Sequence, residues 1–325
     1  MIKSCLSFWL SALAALAGCA ICIQPLAAQD VNVESQDDSA GVSFTKPVTQ
    51  KWKVGARIRA ANRSVRSAYI TIPVPMDWPE QSVKVVEEKI PDNVTGVKYR
   101  VLNDGVRQIL ANVVNVKPGE QVEMSVTFEV TVSQIEAPKD TSKFVKPKRP
   151  SRNIKAHLNR SPQINHSSMK LRNQVKEIVK DIDEPWKQVE ALYDWVRENI
   201  KQINEKPEGA QSCLRHLKGP PEDMVSLFIA FCRANKVPAR TVWVEGHVYA
   251  EFYLEDEEKK GHWFPAQLAG NRDFGSMSDP RIIQQKGDNI KVPEEEKRQR
   301  YVYEHVTAKT LAPPTVKFIR QLIQK

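Results

Sequence analysis

Two thiols, Cys213 and Cys232, six histidines, Asp223 and Ser226 are the groups in the body of this chain weighed as nucleophile, base or ligand. A cysteine becomes a nucleophile when a helix N-terminus and a neighbouring imidazolium stabilise its thiolate, and backbone N–H groups then hold the oxyanion that forms on the attacked carbonyl. Cys232 is poorly suited to that role. It shares the apolar side of a helix with Val225 and Phe228 and reads as a small core hydrophobe. Cys213, in GAQSCLRHL, stays open as a nucleophile or as a disulfide partner of Cys232. His247 opens the alternating segment HVYAEFYL, where a histidine can serve as a base, touch a ligand or simply satisfy a strand. Ser226, or a water activated between His247 and Asp223, offers a further route. Metal chemistry is not expected: His157, His166, His216, His262 and His305 lack ligand spacing, and His216 with Cys213 supplies too few donors. No cofactor motif is expected either.

The segment GPPEDMVSLFIAFCRANKVPAR, from Gly219 to Arg240, resembles the transglutaminase-like superfamily, whose Gly-x-Cys-x-Asp opens an apolar helix ending in Arg-Ala-x-Gly-Ile-Pro-Ala-Arg. Gly219, Asp223, Leu227, Phe228, Arg233, Ala234, Pro238, Ala239 and Arg240 fall in register. Pro221 stands in the cysteine's place. HVYAEFYL resembles the family's His-Ala-Trp-x-Glu-x-Tyr, and HWFPAQ resembles Trp-x-Pro-x-Asp, with Gln267 at the acid. The resemblance therefore implies a triad at Pro221, His247 and Gln267 in which only the histidine survives. Proline has no nucleophilic atom and no N–H, yet its fixed φ suits the first turn of a helix, so the fold can outlast the chemistry. Glutamine can orient His247 but carries no charge to stabilise an imidazolium. Arg233 and Arg240 read as structural ion-pair partners near the helix end, and Glu251 as facing solvent or ordering a neighbouring loop.

These positions need elements to hold them. From Lys51 to Val132 the period is two: Trp52, Val54, Ala56, Ile58 and Ala60 alternate with polar neighbours, as do Val122, Met124, Val126, Phe128, Val130 and Val132. Short strands separated by turn formers predict a β-sandwich over 51–135, and a β-rich domain before the core also fits the family resemblance. Residues 136–168, basic and proline-containing, read as a linker. A helical period follows through Leu171, Val175, Ile178, Val179 and Ile182, then through Trp186, Val189, Leu192, Val196 and Ile200. Strands return from Thr241. The resemblance implies a papain-like α+β domain over 169–325, giving an α+β fold class for the whole chain.

The N-terminus predicts export. Lys3 precedes an apolar run from Leu6 to Leu26, then Ala27 and Ala28, the order of a signal peptide over 1–28 cleaved before Gln29. A lipobox-like Leu16-Ala17-Gly18-Cys19 offers lipid anchoring at Cys19 as the alternative. Residues 29–50 read as disordered. No transmembrane helix is expected after signal removal. The net charge of +9 in 325 residues is diffuse apart from the run between Lys139 and Arg160, where Phe144 is the lone interleaved aromatic, so nucleic acid is not the expected partner. Two functions stay open: an exported, inactive domain that binds peptide or an envelope protein, or a hydrolase or acyl transferase using a displaced nucleophile such as Cys213.

Overall fold

Apolar residues spaced two apart along the long N-terminal strands give each an apolar face that must be covered, and in the computed structural model those faces close on each other. The structure describes residues 41–310 and 313–324. The expectations for the signal peptide, its cleavage, Cys19 and most of 29–50 lie outside them. Six strands come first: β1 Ser43–Arg59, β2 Val65–Val74, β3 Gln81–Lys89, β4 Val94–Leu102, β5 Val106–Val116 and β6 Gln121–Glu136. They lie in two antiparallel sheets whose inward residues, among them Val54, Ile58, Ile70, Ile72, Ile109, Val126 and Phe128, form one buried core. This is a β-sandwich.

The chain then runs through α1 Arg152–Ala156, α2 Met169–Ile178, α3 Pro185–Asn199, β7 Lys201–Gln202, α4 Ala210–His216, β8 Lys218–Gly219 and α5 Pro221–Ala234. It continues with β9 Ala239–Val244, β10 His247–Glu255, β11 Gly261–Gln267, β12 Asp273–Phe274 and β13 Ile283–Lys286. The last two strands are β14 His305–Lys309 and β15 Thr315–Gln324. Strands β12-β11-β10-β9-β13 form an antiparallel sheet, and α3 and α5 pack on it through Trp186, Leu192, Phe228 and Phe231 against Phe252 and Phe264. Nearly every residue of α5 is buried. A helix apolar all round belongs inside a layer, and here it carries the start of the site. None of the described helices is long and apolar enough to cross a membrane.

Three boundaries differ from the sequence reading. Residues 305–324 do not complete the second domain. β14 pairs with β2 and β15 with β1, so both sandwich sheets take their fourth strand from the C-terminus. An unpaired strand edge exposes a row of N–H and C=O groups, and these strands cover two such edges. Strand β1 begins at Ser43, inside the stretch read as disordered. Its alternation is broken by a bulge between Thr45 and Val48 and by Lys46 at φ 45°, which hides the period at Lys46-Pro47. Segment 136–168 is no free spacer: Phe144 and Ile164 are buried in the core of the second domain, and Val145 bridges Glu255.

Candidate functional site

Pro221 is the first residue of α5. Pro220 precedes it at φ −66°, ψ 166°, and the carbonyl of Pro220 accepts the first helical bonds, from the N–H of Asp223 at 2.9 Å and of Met224 at 3.1 Å. The proline ring thus sits where an N–H has no helical partner to lose. Asp223 serves the framework. Its Oδ1 and Oδ2 accept the backbone N–H groups of Gly209 and Glu208 at 2.7 and 2.8 Å, clamping the entry of α4 to the first turn of α5. With both oxygens engaged, it is not placed to activate a water beside His247.

His247, half-buried, opens β10. Its Nε2 lies 3.2 Å from Gln267 Oε1 at the end of the adjacent β11. The amide nitrogen of Gln267 donates, at a long 3.5 Å, to the carbonyl of Asn271, which turns Oε1 toward the ring. In that orientation the Nε2–H tautomer of His247 is the one that donates to Gln267. The carbonyl of Gln267 is held by the Tyr193 hydroxyl at 2.9 Å and by Arg197 Nη1 at 3.0 Å. Burial, aided by Arg281, depresses the His247 pKa below its ordinary value; Gln267 and Asp279 oppose this and are outweighed. The lowered pKa favours the uncharged imidazole. It is oriented by a neutral partner rather than charged by an anionic one.

Pro221 and His247 line the same cavity, of about 450 Å³, and Gln267, only 7 % exposed, supports His247 from the adjoining strand. Aromatic rings line the cavity as well. Trp243 and Tyr301 meet edge to face at 5.1 Å, and Tyr303 packs on Tyr301 at 4.7 Å with its own ring largely in solvent. Arg320, from β15, reaches the same cavity, so the sandwich contributes to it. Reading by sequence had missed these residues. RYVYEHVTA carries the aromatic signal as two tyrosines two apart, on one side of an extended segment, but nothing local says which cleft they meet.

The alternative nucleophiles are elsewhere. Cys213 is fully buried in α4, where burial and the nearby Asp223 carboxylate push its thiol up to about 12. Cys232 is likewise buried, with its pKa raised by desolvation, and both cysteines are free thiols. Ser226 Oγ donates to the Glu222 carbonyl at 2.7 Å and accepts from Arg300 Nη2 at 2.9 Å, a bonding pattern that draws no base to it. Arg233 and Arg240 do make ion pairs: Arg233 Nη2 reaches both carboxylate oxygens of Asp288, at 2.9 and 2.8 Å, and Arg240 Nε donates to Glu251 at 2.7 Å. Glu251 faces no solvent. It is 2 % exposed and bridges Arg240 to Lys286, whose Nζ lies 2.6 Å away. Burial works to raise its pKa, but the two cations prevail and hold the carboxyl below the usual carboxylate range. An alternating strand pattern could not reveal this, because the face of the sheet turned away from α5 is covered by the sandwich.

Among the described residues no group of three or more His, Cys, Asp or Glu comes together to hold a metal. The family model of the Transglutaminase-like superfamily matches residues 172–268, a span that contains Pro221, His247 and Gln267. No curated protein matches the chain. The crystal structure of a "putative cysteine protease" from Cytophaga hutchinsonii superposes with a TM-score of 0.55 at 16 % identity, covering 86 % of this chain and 94 % of that one. At that identity the likeness is one of fold. A "putative protease" from Parabacteroides distasonis gives a TM-score of 0.28 at 11 % identity, covering 70 % of this chain and 44 % of the other.

Proposed function

Residues 172–268 are a transglutaminase-like core domain, and from that premise we propose that the chain is an exported, catalytically inactive protein whose former catalytic cleft binds peptide or another envelope protein. The observation that carries this reading is that Pro221 and His247 line one cavity. The position from which a thiolate would attack holds an imino acid, while the histidine, its orienting partner and the helix start are kept. An amide cleaved through an acyl intermediate needs an atom that bonds to carbon, and Pro221 offers none. The imidazole could at most polarise a water, unaided by an anionic partner. Aromatic walls beside a neutral histidine favour contact with apolar and aromatic side chains and with backbone amides of an extended segment.

The competing reading, a hydrolase or acyl transferase with Cys213 as displaced nucleophile, is disfavoured by the burial of that thiol and its raised pKa. Export is supported by the order of charged, apolar and small residues in 1–28. Purified mature protein, assayed for turnover of amide and ester substrates and for labelling by a thiol-reactive probe, tests the proposal. The unaltered chain should do neither. Pro221→Cys combined with Gln267→Asp should acquire labelling at residue 221 that disappears when His247→Ala is added. Turnover by the unaltered chain that survives replacement of Cys213 and Cys232 would overturn inactivity, and turnover abolished by Cys213→Ala would establish the competing reading.

A further inference from the structure

A second and larger cavity, of about 560 Å³, opens where the β4–β5 turn at Asn103, Asp104 and Gly105 meets α1 and the ends of β9 and β13. Neither Pro221, His247 nor Gln267 borders it. Arg240 lines it, with its guanidinium over the ring of Trp263, 4.0 Å from the centroid, and its Nε fixed on Glu251. That side chain is 12 % exposed, and the bond to Glu251 is the one hydrogen bond its guanidinium makes among the described residues. Its Nη atoms make no hydrogen bond within the described protein, and Arg240 lines a space large enough for a small molecule.

The charge around the cavity is not balanced. Arg240 and Lys286 are matched by Glu251 and Glu80, and Asp288 is matched by Arg233. Arg152 and Arg298, both exposed, line the cavity together with one further carboxylate, Asp104, one oxygen of which accepts from Asn153 at 3.0 Å, while Arg298 Nη1 donates to the Asn289 carbonyl at 3.0 Å. His157, edge-on to Trp263 at 5.2 Å, adds a ring nitrogen to the polar wall. A planar guanidinium immobilised by stacking and by one carboxylate, with its remaining N–H edge open, is preorganised to grip two oxygens of an anion.

We propose that this cavity binds a small organic molecule through a carboxylate or phosphate group seated on Arg240, with Arg152 and Arg298 attracting and screening it at the mouth. The site is independent of the cleft at His247 and of whether that cleft is active. Isothermal titration of the full mature chain with citrate, with inorganic phosphate and with the uncharged trimethyl ester of citrate tests it. Saturable one-to-one binding of citrate or phosphate is expected, whichever arm responds naming the preferred oxyanion, with no binding of the ester. Affinity should fall about ten-fold or more in Arg240→Gln, the loss of one charge-assisted contact, and also in Arg152→Ala/Arg298→Ala, while His247→Ala leaves it unchanged. The double variant touches only exposed side chains, so it reads the site even if Arg240→Gln fails to fold. Absence of saturable binding of both anions, equal binding of the ester, or affinity indifferent to the double variant would overturn the proposal.

Discussion

At position 221 the proline ring starts α5 while offering neither an N–H nor a nucleophilic atom, and His247 meets the uncharged amide of Gln267. Introducing a carboxylate by Gln267→Asp should raise the His247 pKa by roughly 1 to 3 pH units, measured by NMR titration of the imidazole; an unchanged value would mean that residue 267 does not set its electrostatics. Cys213 should resist iodoacetamide in the folded chain at mildly alkaline pH and react once denatured, since its thiol is pushed up to about 12. Another histidine makes the clearest pH signature. Burial, reinforced by Arg240 and Arg233 over the opposing Asp288 and Glu251, pushes His157 down to about 3 from 6.5. Below pH 6.5 the unfolded chain takes up a proton that the folded chain refuses until about pH 3, so this contribution to stability is complete above the window and drains away on acidification. His157→Gln should therefore lose less stability than the unaltered chain between about pH 7 and about pH 4, as read by urea melts.

At the scale of elements, α5 is the axis of the site, and its first turn is tied down by Asp223 rather than by an N-cap side chain. Two backbone donors from Glu208 and Gly209 converge on that carboxylate in a buried setting. Asp223→Ala should cost about 3 kcal/mol, measured by chemical denaturation, with loosening of α4 seen in hydrogen exchange at Gly209 and Cys213. Much of this element was legible beforehand. The apolar run from Met224 to Cys232 and Pro220-Pro221 before it announce a buried helix with a proline start. The aspartate's clamp was not legible, because its partners lie in a loop whose path follows no local pattern.

For the whole molecule, the two domains share one framework. Lys286 sits 2 % exposed between Glu80 of the sandwich side and Glu251 of the second sheet, with its ammonium 4.8 Å from the Trp78 ring. Removing one member of such a buried cluster strands the opposite charges, so Lys286→Met should destabilise by about 3–5 kcal/mol in a urea melt, and by more than either rim arginine of the second cavity. The closing strands act at the same scale. A chain ending after Glu304 keeps all of 172–268 but bares the edges of β1 and β2, and should associate with rising concentration in sedimentation. A monomeric, cooperatively folded truncate would refute that role for β14 and β15.

Sequence by itself determined what depends on near neighbours: the period of two that makes one-sided strands, the apolar helix from 221 to 234, the register that brings Pro221, His247 and Gln267 into comparison with a thiol-enzyme motif. Tertiary structure alone decided that the last strands belong to the first domain, that Tyr301, Tyr303 and Arg320 wall the cleft, and that Glu251, Arg240 and Lys286 meet under cover of the sandwich. Periodicity reports whether a face is buried, not what buries it. Which edge a strand pairs with, and which charge meets which across a domain boundary, are settled by contacts between residues far apart along the chain.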